Sequence, residues 1–151
     1  MITCLLSSEF KRLNISVAAL SEFQRPDSGE RMVGGYTYYW SGCCDGNHAQ
    51  GVAVALSKKL IPMVIEVKPV NKHIIRLRIC HSLGVVSLDS VYAPSEASDL
   101  TVKDAFYATL ESVVDQCPRC DALLVLGISM HRLELIGMVM RHVLVPMGME
   151  L

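Results

Sequence analysis

Ile15-Ser16-Val17-Ala18-Ala19-Leu20, followed at once by Ser21-Glu22, is the stretch on which the reading of this chain turns. A short apolar run with β-branched residues has the pattern of a strand buried on both faces. Such a strand delivers Glu22 at its C-terminal end, where layered α/β proteins place ligand-binding groups. A carboxylate there is a hard oxygen ligand of the kind Mg²⁺ takes, and it is also what a solvated strand end carries.

Upstream, Cys4, Leu5, Leu6, Phe10 and Leu13 recur at helical spacing around polar Lys11-Arg12, which predicts a short helix ending near Asn14. Downstream, Pro26-Asp27-Ser28-Gly29 reads as a turn, and Gly35 to Trp40, rich in aromatic and β-branched residues, as a strand. A glycine-bounded loop from Gly42 to His48 precedes four further strands, Val52 to Leu56, Met63 to Val67, Ile74 to Ile79 and Val85 to Tyr92. Pro94 closes the last of them. Asp99 or Thr101 can cap a helix whose inward face carries Val102, Phe106, Leu110, Val113 and Val114. Ala122 to Gly127 is another buried strand, after which the pattern dissolves into a Met-rich tail expected to be helical. Strand groups with helices between them predict a layered α/β architecture with helices outside the sheets.

The chain has 151 residues, 51% of them hydrophobic, which suits one domain with a sizeable core and excludes a disordered or solvating segment. Lys plus Arg number 14 against 15 Asp plus Glu, so a strongly basic nucleic-acid footprint is excluded as well. The N-terminus has no basic region followed by an apolar run, and Leu133 to Val145 is broken by Glu134, Gly137, Arg141 and His142. The expectation is an intracellular protein, nuclear or cytoplasmic, neither secreted nor membrane-inserted, whose 6 cysteines are free thiols.

Most short motifs reduce to structural roles. Cys117-Pro118-Arg119-Cys120 follows a helix, whereas a redox pair lies at a helix N-terminus, and no second pair completes a zinc site. Cys43 and Cys44, with His48 nearby, could hold a metal only with strain. His73, His81, His131 and His142 stand isolated, and no phosphate-cradling glycine pattern or Gly-x-Ser-x-Gly occurs. Tyr92, at a strand terminus before Ala93-Pro94, could polarise a phosphate oxygen through its phenol or simply pack.

Taken in order, Leu13 to Glu22, Gly34 to Gly42, Gly51 to Val54, Val91-Tyr92-Ala93-Pro94, Phe106-Tyr107 and Leu123 to Gly127 resemble the endonuclease/exonuclease/phosphatase superfamily. The similarity is greatest to endonuclease domains of LINE-type retrotransposons and to the craniofacial development protein 2-like proteins derived from them. The resemblance implies a two-sheet sandwich flanked by helices, with a Mg²⁺ site at the sheet tops that hydrolyses the phosphodiester bonds of DNA through an activated water. Glu22 then corresponds to the metal-binding glutamate and Tyr92 to the tyrosine that contacts the scissile phosphate.

The departures from the family pattern carry equal weight. The family follows its glutamate with Thr-Arg, where this chain has Phe23-Gln24, and its Leu-Gly strand continues Asp-Phe-Asn, where this chain has Ile128-Ser129-Met130. Ile128 and Met130, in place of the aspartate and asparagine, can neither accept the proton of the water nor bind the metal. The family pattern also includes an earlier strand with an asparagine ligand and a final third with an aspartate and a Ser-Asp-His motif. The expectation is therefore a partial four-layer α/β/β/α sandwich without that strand and that third, spanning residues 1–127, with a divergent helical tail over 128–151. Glu22 becomes a vestigial Mg²⁺ ligand, Tyr92 a vestigial phosphate contact, and the protein a truncated, inactive relative of Mg²⁺-dependent phosphodiesterases. The alternatives are an interaction module that pairs with its own copies or with another protein through exposed sheet edges, and a residual nuclease.

Overall fold

The computed structural model describes residues 2–21, 23–43, 51–95, 97–129 and 132–135. The chain opens with α1 (Ile2–Arg12), whose last turn carries Lys11 and Arg12 at the negative end of the helix dipole. Asn14 ends it in the left-handed region (φ 55), and the Ile15 N–H bonds back to the Phe10 carbonyl, closing the helix terminus. There follow β1 (Val17–Ser21), β2 (Ser28–Val33), β3 (Tyr36–Ser41) and β4 (Val52–Ser57), which form an antiparallel sheet in the order β1-β4-β3-β2. Gly34 and Gly35, at φ 61 and 86, make the turn between β2 and β3, a geometry that glycine adopts without strain.

A 3₁₀ turn over Ile61–Met63 leads to the second sheet. It contains β5 (Val64–Asn71), β6 (Ile74–His81), β7 (Gly84–Ala93), β8 (Ala122–Ser129) and β9 (Arg132–Leu135), in that spatial order. The step from β7 to β8 is parallel and is bridged by α2 (Leu100–Asp115).

Side-chain alternation assigns the layers. Val52, Val54 and Leu56 on β4 face Ile75 and Leu77 on β6 and Leu88 on β7, forming the core between the sheets. Phe10 of α1 packs on Tyr36, Tyr38 and Ala55 outside the first sheet. Phe106 and Val113 of α2 pack on Ile74, Val91, Leu123 and Val125 outside the second. The architecture is a four-layer α/β/β/α sandwich, the fold class expected from the sequence. Among the described residues, no helix is long and apolar enough to cross a membrane.

Several local expectations need correction. β1 is half-buried throughout because it lies at a sheet edge, where only neighbouring layers cover it. Ser28 and Gly29, read as part of a turn, begin β2, a largely exposed edge strand. Val102 is 46% exposed, since α2 turns Phe106 and Val113 inward instead. Asp99 occupies the N-cap of α2 without a side-chain capping bond. Residues 132–135, within the tail expected to be helical, form β9 against β8; the tail beyond residue 135 lies outside the described residues, as do Cys44 and His48. The open edges also carry features that oppose edge-to-edge pairing: Glu30 and Arg31 on β2, and Lys68, Pro69 and two register shifts on β5.

Charges occupy the α2 side of the second sheet where apolar residues give out. Arg76 on β6 lies directly opposite Asp89 on β7 and donates two hydrogen bonds to its carboxylate, at 2.6 and 2.7 Å, with both side chains buried. Burial pushes the Arg76 guanidinium down, but its bonds and proximity to Asp89 outweigh this and hold it above its ordinary value. Two register pairs along, on the same face, Arg78 donates to Asp121 at 2.8 and 3.2 Å, and the Ser87 hydroxyl donates to the same carboxylate at 2.7 Å. Burial raises the Asp121 carboxyl, and the bonds from Arg78 and Ser87 more than reverse that, leaving it below the usual carboxylate range.

Two predictions follow from these pairs. Asp89→Ala strands a buried guanidinium and is expected to cost about 3–5 kcal/mol in urea unfolding, most of which Arg76→Met with Asp89→Leu restores. Asp121, whose folded pKa is depressed, adds stability that is complete above its unfolded value of about 3.9 and is lost as pH falls through the folded value. Asp121→Asn should therefore flatten the acid limb of the stability curve measured by circular dichroism.

Candidate functional site

Strand direction brings one set of chain segments to a common end of the sandwich. β1 ends there at Ser21, which pairs with Val52 at the start of β4, and β3 ends there at Ser41, which pairs with the same residue. In the second sheet β5 ends at Asn71, β6 begins at Ile74, and β7 ends at Ala93 beside Ser129 of β8. This is the end at which the sequence places Glu22 and Tyr92. Glu22 itself lies outside the described residues, one position beyond Ser21.

Tyr92 is buried, 4% exposed, and belongs to the core between the sheets with Tyr39 and Leu88. Its backbone is held on both sides by His73: the Tyr92 N–H donates to the His73 carbonyl at 2.8 Å, and the His73 Nδ1 lies 2.7 Å from the Tyr92 carbonyl oxygen. A carbonyl oxygen only accepts, so in the neutral ring Nδ1 carries the hydrogen and Nε2 is the unprotonated nitrogen. The imidazole lies nearly parallel to the Tyr92 ring at 6.1 Å and meets Phe106 of α2 edge-on at 5.7 Å. Burial pushes the His73 pKa down against the opposing effect of its bond to Tyr92, and the Lys72 charge pushes it the same way as burial.

The turn between β5 and β6 reaches across the sheets. The Ser41 hydroxyl on β3 donates to the Asn71 carbonyl at 2.7 Å, and the Asn71 Oδ1 accepts the His73 N–H at 2.8 Å. Phe23, which stands where the resembled family has threonine, stacks on Tyr38 and lies against Trp40, each at 5.9 Å between ring centres. It serves the core outside the first sheet. An open groove of about 330 Å³ runs beside His73 between α2 and the end of β5, with Val102, Ala105 and Phe106 on its apolar wall.

Among the described residues no group of three or more His, Cys, Asp or Glu side chains converges. Two side-chain oxygens at this end, on Ser41 and Asn71, take part in bonds within the protein. A protein-held Mg²⁺ needs one or two carboxylates in near-octahedral array; Asp27 lies at this end, its backbone bonded to Gly42 and Cys43, and Glu22, Asp45 and Glu96, which follow the strand ends at Ser21, Ser41 and Ala93 in the sequence, lie outside the described residues.

Of the sequence candidates, Tyr92 is placed at the expected end but inside the core. His73, set aside as an isolated histidine, is the residue that joins the strand end to α2. The sequence signal for it lies in the Asn71-Lys72-His73 triplet, a polar turn between two strands in which an asparagine side chain can bond two residues on. Arg76 and Asp89 were also missed, although an arginine alternating with Ile75 and Leu77 and an aspartate inside an apolar strand invite pairing.

No family model matches this chain. It is 24% identical over 122 residues to craniofacial development protein 2 of Bos taurus, covering 81% of this chain and 20% of that protein. The chain thus spans about a fifth of the length of the curated relative that it matches.

The depressed His73 pKa has a definite consequence. The neutral ring is favoured in the folded state, so its contribution is complete above the unfolded value of about 6.5 and is lost as pH falls through the folded value. Urea midpoints measured at stepped pH should drop across that window in the wild type, and the drop should shrink in His73→Phe.

Proposed function

We propose that this chain is a catalytically silent scaffold of the Mg²⁺-dependent phosphodiesterase type, descended from a retrotransposon endonuclease domain and no longer able to cleave DNA. The observation that carries this reading is the register of β7 and β8, in which Tyr92 lies beside Ile128. In the resembled family the residue that follows Leu-Gly on this strand is an aspartate, so the position next to the phosphate-contacting tyrosine has changed from a proton acceptor to an alkyl side chain.

Hydrolysis of a phosphodiester needs a group to take the proton of the attacking water and fixed charge to meet the charge that develops on phosphorus. Isoleucine supplies neither. The asparagine two residues further along the family's strand is Met130 here, and the Thr-Arg after the glutamate is Phe23-Gln24, with Phe23 committed to packing. A buried phenol at Tyr92 can orient a phosphate but cannot generate a nucleophile. Removing members of such a set costs on the order of 10³ or more in rate, enough to abolish useful turnover. The four-layer fold and the match to craniofacial development protein 2 support the ancestry.

Purified protein incubated with supercoiled plasmid in millimolar Mg²⁺ is expected to leave the plasmid intact, and Glu22→Ala to behave identically. Mg²⁺-dependent nicking by the wild type that Glu22→Ala removes would overturn the reading.

A further inference from the structure

We infer that the outer edge of β1 is a docking site for one extended, alternately apolar segment of another protein, which joins the first sheet as a further strand. The inference is independent of whether the chain cleaves DNA. Four strands end the two sheets, β1 and β2 in the first and β5 and β9 in the second. Three of them carry features that keep edges apart: Glu30 and Arg31 on β2, Lys68, Pro69 and two register shifts on β5, and Arg132 and Glu134 on β9. β1, Val17-Ala18-Ala19-Leu20-Ser21, has no charge, no proline and an unbroken register with β4.

The backbone of β1 is set for a second partner. The Ser57 N–H donates to the Ser16 carbonyl at 2.8 Å, and the register pairs Ala18 with Ala55 and Leu20 with Ala53, so residues 16, 18 and 20 turn their peptide groups to β4. Val17, Ala19 and Ser21 turn theirs the other way, where among the described residues no strand lies. A floor for that place is present too. Across the sandwich β1 lies over β7 and β8, while the second sheet continues one strand further, to β9. Leu124 and Leu126, on the inner face of β8, are accordingly half-buried, whereas Leu123 and Val125, under α2, are buried. A strand beside β1 would set every second side chain on Leu124 and Leu126. A second copy does not fit: the two-fold axis of a β1–β1 pair would pass just outside β1, and β8 and β9, which reach beyond β1, would collide with their counterparts. The occupant is thus a single strand with apolar residues at alternate positions, the mode in which extended segments add to sheet edges.

β4 supplies the probe, because it is the strand that β1 already accepts, with Val52, Val54 and Leu56 toward the core and alanines between them. The probe is a synthetic peptide Val-Ala-Val-Ala-Leu-Ser with lysines at both ends. Amide hydrogen exchange of the wild-type protein is expected to be slow at Ala18 and Leu20 and fast at Val17, Ala19 and Ser21. Peptide at about ten times its dissociation constant should slow the latter three roughly tenfold. Three outcomes would overturn the inference: slow exchange of these amides in the protein alone, which assigns the edge to a segment of this chain; slow exchange that dilution abolishes, which assigns it to a second copy; and no slowing by the peptide at any concentration. Ala19→Pro removes an N–H on the outer side and leaves the bonds to β4 in place. It should fold by circular dichroism and bind the labelled peptide more weakly by a factor of about 10 or more in fluorescence anisotropy. Unchanged affinity would place the peptide elsewhere and sink the site. Should the variant fail to fold, exchange in the wild type still decides.

Discussion

Val52, Val54 and Leu56 of β4 and Ile75 and Leu77 of β6 are all fully buried, and they face one another across the two sheets. Everything else in the fold is arranged around that contact. Strands whose inner faces are committed to a common core can leave their outer faces only to helices or to solvent, so α1 must cover the first sheet and α2 the second. Because side chains alternate, the same register that buries Leu77 inward turns Arg76 and Arg78 outward beneath α2. The charged ladder with Asp89 and Asp121 is thus a consequence of the apolar core. Once the arginines face that layer, a buried guanidinium without a carboxylate would cost several kcal/mol, and the pairing is obligatory.

The elements legible in the sequence were those whose residues alternate or run apolar over their whole length. The strands read from Ile15, Gly35, Val52, Met63, Ile74, Val85 and Ala122 onward, and the helices before Asn14 and after Asp99, recur in the structure with ends shifted by a few residues. β2 was not legible because Ser28-Gly29-Glu30-Arg31-Met32-Val33 is an exposed edge that borrows its conformation from β3 and carries little apolar signal of its own. β1 was read as buried on both faces because its composition is that of an interior strand. Its place at an edge is decided by pairing with β4, whose partner residues lie 31 to 39 positions further along the chain.

The site divides along the same line. That β1 and β7 end together follows from strand order and could be anticipated, which is why Glu22 and Tyr92 stood out as strand-end residues. What could not be anticipated is the direction of a side chain at a strand terminus. Tyr92 lies on the inner face of its strand with Leu88 and Ser90, and its ring joins the core between the sheets. His73 looked isolated because its partners, Tyr92 and Phe106, come from a neighbouring strand and a crossover helix; only the fold makes them neighbours.

A catalytic strand end and a structural strand end differ in where their polar groups point. At a working metal site, oxygens are held with lone pairs unspent, at a cost in stability that the bound ion offsets. Here the Ser41 hydroxyl donates to the Asn71 carbonyl of the opposite sheet, the Asn71 Oδ1 accepts from the His73 amide of its own turn, and the His73 Nδ1–H donates to the Tyr92 carbonyl of β7. These bonds tie the turn between β5 and β6 to the first sheet and to β7, and the His73 ring carries the connection on to α2, so a change at any one of the three residues is felt in three layers of the sandwich.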